Sequence, residues 1–269
     1  MANSPLITSR QNQRVKDAVR LRTSRGRGQQ QRFIIDGGRE ISRALAAGIH
    51  CVEAFVCEPQ PDTTARVDLL NALRAKSVEL LPVTPEVYAK LYFGDREGEG
   101  LVVIAETPKR ILQDLHLPAD PLVAVVEGVE KPGNLGAILR TADAAGIDAV
   151  IVAEGRTDLF NPNVMRASLG TVFCDSVVEA TTAETVSWLR SRQFRTFAAR
   201  PDASLVYTEA NFCGDVAIVL GSEATGLSAA WNNSDVKPIR LPMHGLSDSL
   251  NVSTTAAVLF YEALRQRGR

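Results

Sequence analysis

A chain of 269 residues with 45% hydrophobic and 23% charged side chains has enough material for two domains, each with a core, and this composition excludes disordered and fibrous classes. No uninterrupted apolar run approaches the roughly 20 residues of a membrane span, and the opening MANSPLITSRQNQRVK lacks the apolar stretch of a signal peptide, so a cytoplasmic protein is expected. The net charge of -1 conceals an asymmetry: residues 1–32 carry Arg10, Arg14, Lys16, Arg20, Arg22, Arg25, Arg27 and Arg32 against Asp17 alone.

In chain order, the basic arm 1–32 comes first. It suits a phosphate backbone, to which each cation adds a salt-sensitive increment of affinity, and its charge permits it to stay unordered until RNA arrives; the alternative is a solvated, partly frayed helix. Residues 33–36 read as a short strand leading through Gly37 and Gly38 into a helix that carries Ile41, Ala44, Leu45 and Ala47 and stops at Gly48. A strand at 51–57 follows, then a helix at 63–76 with Asp62 as candidate N-cap, and a strand at 78–81. Thr84-Pro85 opens a helix with Val87, Tyr88 and Leu91, because threonine caps and proline tolerates the first helical position. A strand at 101–105 completes an alternation that implies a small α/β domain over 33–106.

The proline-containing TPKRILQDLHLPADP, 107–121, reads as a linker. Beyond it, strands at 122–126, 149–153, 194–199, 216–220 and 238–241, with helices at 135–145, 183–192 and 251–266, form a second α/β domain over 122–269. Continuous apolar strands such as LVAVV and VAIVL indicate a parallel sheet covered on both faces. Cys51, Cys57, Cys174 and Cys213 match no metal-ligand or redox spacing and read as buried free thiols. With His50, His116 and His244 scattered, no metal site is expected.

Three segments of the second half place glycines and polar residues directly after a strand, where open α/β sheets bind ligands. In the first, Glu127 to Gly146, Pro132 and Gly133 turn the chain, Asn134 is a candidate cap, and Arg140 follows about one and two-thirds helical turns later. In the second, Leu220-Gly221-Ser222-Glu223-Ala224-Thr225-Gly226, Gly221 allows a ligand close to the backbone. In the third, Leu241-Pro242-Met243 runs to Ser249-Leu250-Asn251-Val252-Ser253, and Ser249 or Asn251 is placed to cap the last helix. Taken singly, each is also explained as a capped helix or a tight turn.

As a set, the three resemble the signature motifs of the SpoU, or TrmH-like, branch of the SPOUT RNA methyltransferases: PGNxGAxxRTA, GxExxG and [IL]PMxxxxxSLNVS, in that order. Leu241 stands where isoleucine is commoner, and Glu130-Lys131 where members often carry other polar residues. More loosely, FIIDGGREISRALAAG and GEGLVVIAETP resemble the ribosomal-protein-like substrate-binding domain that precedes many such enzymes. The resemblance implies an α/β fold whose parallel-sheet domain contains a trefoil knot, which ordinary threading rules would not suggest. It also implies a homodimer with partner residues near the active site, and S-adenosylmethionine as cofactor, contacted at Gly221, Leu241 and Leu250. Asn134, Arg140, Glu223, Ser249 and Asn251 become the candidates for substrate positioning and catalysis. Guanidinium is protonated in nearly every protein setting, so Arg140 is read as an electrostatic clamp on ribose oxygen and phosphate rather than as a base.

The implied activity is methylation of a ribose 2′-hydroxyl in structured RNA, ribosomal RNA ahead of transfer RNA, with no metal and no membrane. Two alternatives stand beside it. A catalytically silent RNA-binding protein would not need all three cofactor motifs. A generic nucleotide-dependent enzyme would be expected to carry a phosphate-binding glycine fingerprint, and neither GxGxxG nor GxxxxGK[ST] is present.

Overall fold

The computed structural model describes residues 4–94 and 99–268. The chain opens with α1 (Gln13–Arg20), α2 (Ser24–Gln30), β1 (Arg32–Ile35), α3 (Gly38–Ala46), β2 (Cys51–Cys57), α4 (Thr64–Ala75), β3 (Glu79–Val83), α5 (Pro85–Leu91) and β4 (Leu101–Glu106). It continues with β5 (Leu122–Glu127), α6 (Pro132–Ala144), β6 (Ala149–Ala153), α7 (Pro162–Ala167), β7 (Val177–Ala180), α8 (Thr182–Ser191) and β8 (Arg195–Ala199). The last elements are β9 (Leu205–Val206), β10 (Val216–Leu220), β11 (Val236–Arg240) and α9 (Val252–Arg267). Two compact units result: Met1–Lys109 with Asp158–Phe173, and Arg110–Thr157 with Cys174–Arg269.

The first unit holds a four-stranded sheet in the order β1-β4-β2-β3, with β2 and β3 parallel and the other pairs antiparallel. One face of the sheet, with Ile34, Phe55, Leu81, Val102 and Ile104, clusters with Val15, Ala18 and Leu21. The segment expected as a detached basic arm is thus folded into this unit, because Val15 and Ala18 fall three apart on one face of α1 and bury there. Several of its cations are spent internally. Arg27 makes a two-pronged pair with Asp158 and donates to the Leu21 carbonyl, Arg22 donates to the carbonyls of Lys90 and Leu91, and Arg14 pairs with Glu53 and Glu79.

Residues 158–173, which the sequence pattern assigns to the second domain, belong to the first unit. The physical reason is aromatic: Phe160 and Phe173 both stack on Phe33, with ring centroids 4.4 and 5.9 Å apart. The N-cap of α4 is Thr63, whose side chain accepts from the Arg66 amide at 3.2 Å, while the expected cap Asp62 lies 3.8 Å from the Arg66 guanidinium instead. Gly98, the first residue of the GEGLVVIAETP segment, lies outside the described residues.

The second unit holds a seven-stranded, wholly parallel sheet in the order β7-β6-β5-β10-β8-β11-β9. Every residue of β5, β6 and β10 is buried, as strands with helices on both faces must be. The order runs outward from β5 through β6 to β7 on one side, while β10 lies against β5 on the other. The β5/β10 junction is therefore a switch point, the place where the loops after the strands part and leave a crevice. Beyond residue 121 three helices or strands escaped the sequence pattern: β9, of two residues, β7, of four, and, in the segment that joins the first unit, α7, of six, all too short for periodicity to register. Among the cysteines, Cys51 and Cys57 are buried, but Cys174 is only half-buried and Cys213 is exposed, so the expectation of four buried thiols is corrected.

Candidate functional site

At the carboxyl ends of β8, β10 and β11, the second unit encloses a cavity of about 380 Å³. It brings together residues far apart in sequence. Leu220, Gly221, Ser222 and Glu223 come from the turn after β10, Leu241 and Met243 from the segment after β11, Asp248 to Val252 from the approach to α9, and Lys131 from the residue before α6. The three residues expected to contact cofactor, Gly221, Leu241 and Leu250, all line it, as do Glu223, Ser249 and Asn251.

The turn after β10 is built by its own hydrogen bonds. Ser222 and Gly226 exchange amide-to-carbonyl bonds at 3.1 and 3.0 Å, the Ser222 hydroxyl accepts from the Thr225 amide, and Gly226 has φ +65°. This tight loop holds the carboxylate of Glu223 out at its tip. It also explains Gly221: a Cβ there would lie 2.4 Å from the carbonyl carbon of Gly226 and 2.6 Å from the amide nitrogen of Leu227. The close approach for which a glycine is expected at this position is thus first of all that of the protein's own backbone.

Beneath the turn, Glu127 ends β5 and is buried. Its carboxylate accepts from the Thr182 hydroxyl at 2.6 Å and from the amide and hydroxyl of Ser228, both at 2.8 Å, tying the start of α8 and the chain beyond the turn to the central strand. Burial alone would push the Glu127 carboxyl up, but these donors from Ser228 and Thr182 outweigh it and hold it below the ordinary glutamate value.

Asn134 does not cap α6, because the helix begins earlier than the pattern suggests, at Pro132, with Lys131 as N-cap. Placed in the first turn, the Asn134 side chain is available for long-range contacts. Its Nδ2 donates to Glu223 in a short hydrogen bond, and its Oδ1 accepts from Nδ2 of Asn251 at 3.3 Å. Asn251, rather than Ser249, is the N-cap of α9, its Oδ1 accepting from the Ser253 amide at 2.9 Å and the Ser253 hydroxyl at 2.7 Å. One residue from each of the three motif segments thus enters one hydrogen-bonded chain, Glu223–Asn134–Asn251.

Arg140 stands apart. It is exposed on α6 and is not among the residues lining the cavity. Conversely, the cavity includes residues not singled out from the sequence. Met243 and Asp248 lie inside the third motif but were not distinguished from their neighbours there, Lys131 was noted only as a departure, and Arg200 belongs to no motif. The signal that would have found Arg200 is its position directly after a parallel strand. The wall combines apolar Leu220, Ile239, Leu241 and Val252 with two cations, Lys131 and Arg200, and two carboxylates, Glu223 and Asp248. Such a wall suits a small molecule with an apolar ring and charged groups of both signs.

Residues 121–261 match the model of the SpoU rRNA Methylase family, and residues 12–96 match that of the MRM3-like substrate binding domain. Among curated relatives, the 23S rRNA (guanosine(2553)-2′-O)-methyltransferase RlmP of Bacillus subtilis is 29% identical over 260 residues, 95% of this chain and 97% of that protein. A crystal structure of an RNA 2′-O ribose methyltransferase superposes with a TM-score of 0.83 at 43% identity, covering 98% of this chain and 100% of the other. An AdoMet-bound rRNA methyltransferase from Sinorhizobium meliloti gives a TM-score of 0.86 at 28% identity, covering 97% of this chain and 98% of the other.

Proposed function

This chain belongs to the SpoU rRNA methylase family, and on that premise we propose that it transfers the methyl group of S-adenosylmethionine to a ribose 2′-hydroxyl of ribosomal RNA. The observation that carries the proposal is the Glu223–Asn134–Asn251 chain on the rim of a cavity whose wall fits that cofactor. Its volume, about 380 Å³, falls in the range of roughly 300–1,000 Å³ typical of small-molecule sites. Leu220, Ile239, Leu241 and Leu250 offer an apolar slot for an adenine, and Glu223 and Asp248 supply negative charge toward a sulfonium and an ammonium. When bound, S-adenosylmethionine supplies an electrophilic methyl group.

The chain's own residues do the rest. Asn134 and Asn251 fix the Glu223 carboxylate, and Ser249 adds a hydroxyl on the same rim. Together they would hold a ribose with its 2′-hydroxyl presented to the bound cofactor's methyl group, and would leave the hydroxyl proton free to pass to a neighbouring acceptor or water. Arg140 acts as an electrostatic clamp on the ribose oxygen and the adjacent phosphate.

Because Arg140 is exposed and away from its own cavity wall, the arrangement supports a homodimer in which Arg140 of one protomer serves the cavity of the other. A trefoil knot in the parallel-sheet domain is part of the same proposal, supported by the match of residues 121–261 to the SpoU family. The first unit is proposed to bind structured RNA, since residues 12–96 match a substrate-binding domain, and the location to be cytoplasmic, where ribosomal RNA of the bacterial relatives is found. Among the described residues no helix is long and apolar enough to cross a membrane.

The test is transfer of labelled methyl from S-adenosylmethionine to ribosomal and transfer RNA, followed by nuclease digestion. Label on ribose in ribosomal RNA, lost in Asn134→Ala and Arg140→Ala, is the expected result. Label on a base, or on transfer RNA alone, would overturn it, and failure to bind the cofactor would favour a silent RNA-binding protein.

A further inference from the structure

Arg200 follows β8 directly, and its amide nitrogen donates to the Ile239 carbonyl at 2.9 Å, which pins the residue where the ends of β8 and β11 meet. Its side chain lines the cavity, yet its Nη2 is buried and has no hydrogen-bond partner among the described residues. A buried guanidinium N–H is seldom left without an acceptor in a native protein. The cavity's own carboxylates do not fill the need: Glu223 is engaged by Asn134, and neither it nor Asp248 hydrogen-bonds the Arg200 Nη2.

We propose that Arg200 is the anion-binding residue of this cavity and holds the carboxylate at the methionine end of the cofactor. The inference rests on the cavity being the S-adenosylmethionine site. The planar fork of arginine matches a carboxylate with two parallel hydrogen bonds, which lysine cannot reproduce. A carboxylate is favoured over an RNA phosphate because the unpartnered nitrogen is buried in the same cavity as Gly221 and Leu241, which would face the nucleoside. Arg200 would therefore set the orientation of the amino-acid end and select cofactors that carry it.

The experiment compares two nucleosides by calorimetry on the full-length protein. S-adenosylhomocysteine has the carboxylate; 5′-methylthioadenosine keeps the adenosine and sulfur and lacks the amino-acid end. In Arg200→Gln, affinity for S-adenosylhomocysteine is expected to fall about 10- to 100-fold, the range for losing hydrogen bonds to a charged group, while that for methylthioadenosine changes less than about threefold. Arg200→Lys should show an intermediate loss for the first ligand alone. Retained methylthioadenosine binding doubles as the check that each variant is folded. Equal losses for both nucleosides in both variants, or no loss for S-adenosylhomocysteine, would overturn the assignment. Unchanged S-adenosylhomocysteine binding with weakened RNA binding would do so too and give Arg200 to a phosphate. If the unmodified protein bound neither nucleoside, the cofactor site itself would be misplaced, an outcome distinct from any failure of Arg200.

Discussion

The side-chain oxygen of Asn134 accepts a hydrogen bond from Asn251 at 3.3 Å across 117 positions of sequence, and the same Asn251 caps the last helix through its own oxygen. The two asparagines therefore share one role and differ in another. Asn134→Ala should reduce single-turnover methyl transfer by about 10²-fold through misplacement of Glu223, with little change in melting temperature. Asn251→Ala should show a comparable kinetic defect and also lose about 1 kcal/mol of helix capping, a fall in melting temperature of roughly 2–4 °C. Thermal melts beside stopped-reaction kinetics check both. Equal melting temperatures would mean that the cap bond contributes nothing.

Gly221→Ala tests the turn after β10. The added Cβ would meet the backbone of Gly226 and Leu227 at 2.4 and 2.6 Å, atoms that no rotamer change can move. The turn must open, carrying Glu223 with it. Cofactor affinity and methyl transfer should both collapse, while Gly133→Ala, where nothing lies within 4 Å, should be tolerated. Near-normal cofactor binding by Gly221→Ala would show that the turn has slack.

Arg140→Ala alone should abolish most transfer while sparing binding of S-adenosylhomocysteine. If Arg140 serves the neighbouring protomer, mixing Arg140→Ala with the cofactor-deficient Gly221→Ala should restore activity. A mixed dimer then has one sound cavity faced by one intact Arg140. Refolding equal amounts together and measuring transfer at saturating RNA checks this. Activity no higher than the two separate variants would assign Arg140 to its own protomer.

The Glu127 carboxyl is held below its unfolded value of about 4.3 by donors from Ser228 and Thr182, which outweigh the opposing effect of burial. A group with a depressed folded value stabilises fully above the unfolded value and loses that contribution as pH falls through the folded one. Glu127→Gln should therefore cost about 1–3 kcal/mol near neutral pH, since an amide cannot accept at both positions, and the gap to the parent protein should narrow below about pH 4. Urea midpoints at several pH values measure the gap. A gap that widened in acid would reverse the sign.

Much of this was legible in the sequence because the central buried strands are unbroken apolar runs: β6 and β10 begin and end where their composition does. The motif residues were legible as a set, since three strand-to-loop junctions of one parallel sheet must open on one edge. What sequence could not convey was pairing. Arg14, Arg22 and Arg27 look like a cationic arm because partners such as Glu53 and Glu79, the carbonyls of Lys90 and Leu91, and Asp158 lie 39 or more positions away. Arg25 is the contrasting case, exposed and without an ion pair among the described residues. Arg200 was invisible for a related reason. It belongs to no pattern, and only the fold puts it beside Leu241.

The stacking of Phe160 and Phe173 on Phe33 has a consequence for how such a chain is made. On a ribosome the first unit's residues up to Lys109 emerge early, but two of the rings that cover Phe33 do not exist until residue 173 has been added. By then β5, β6 and the intervening helix have already been synthesised. The first unit is therefore not a cassette that can be cut at the linker and moved to another protein. Its core closes only after a third of the second unit has been synthesised, so the two must mature as a coupled pair.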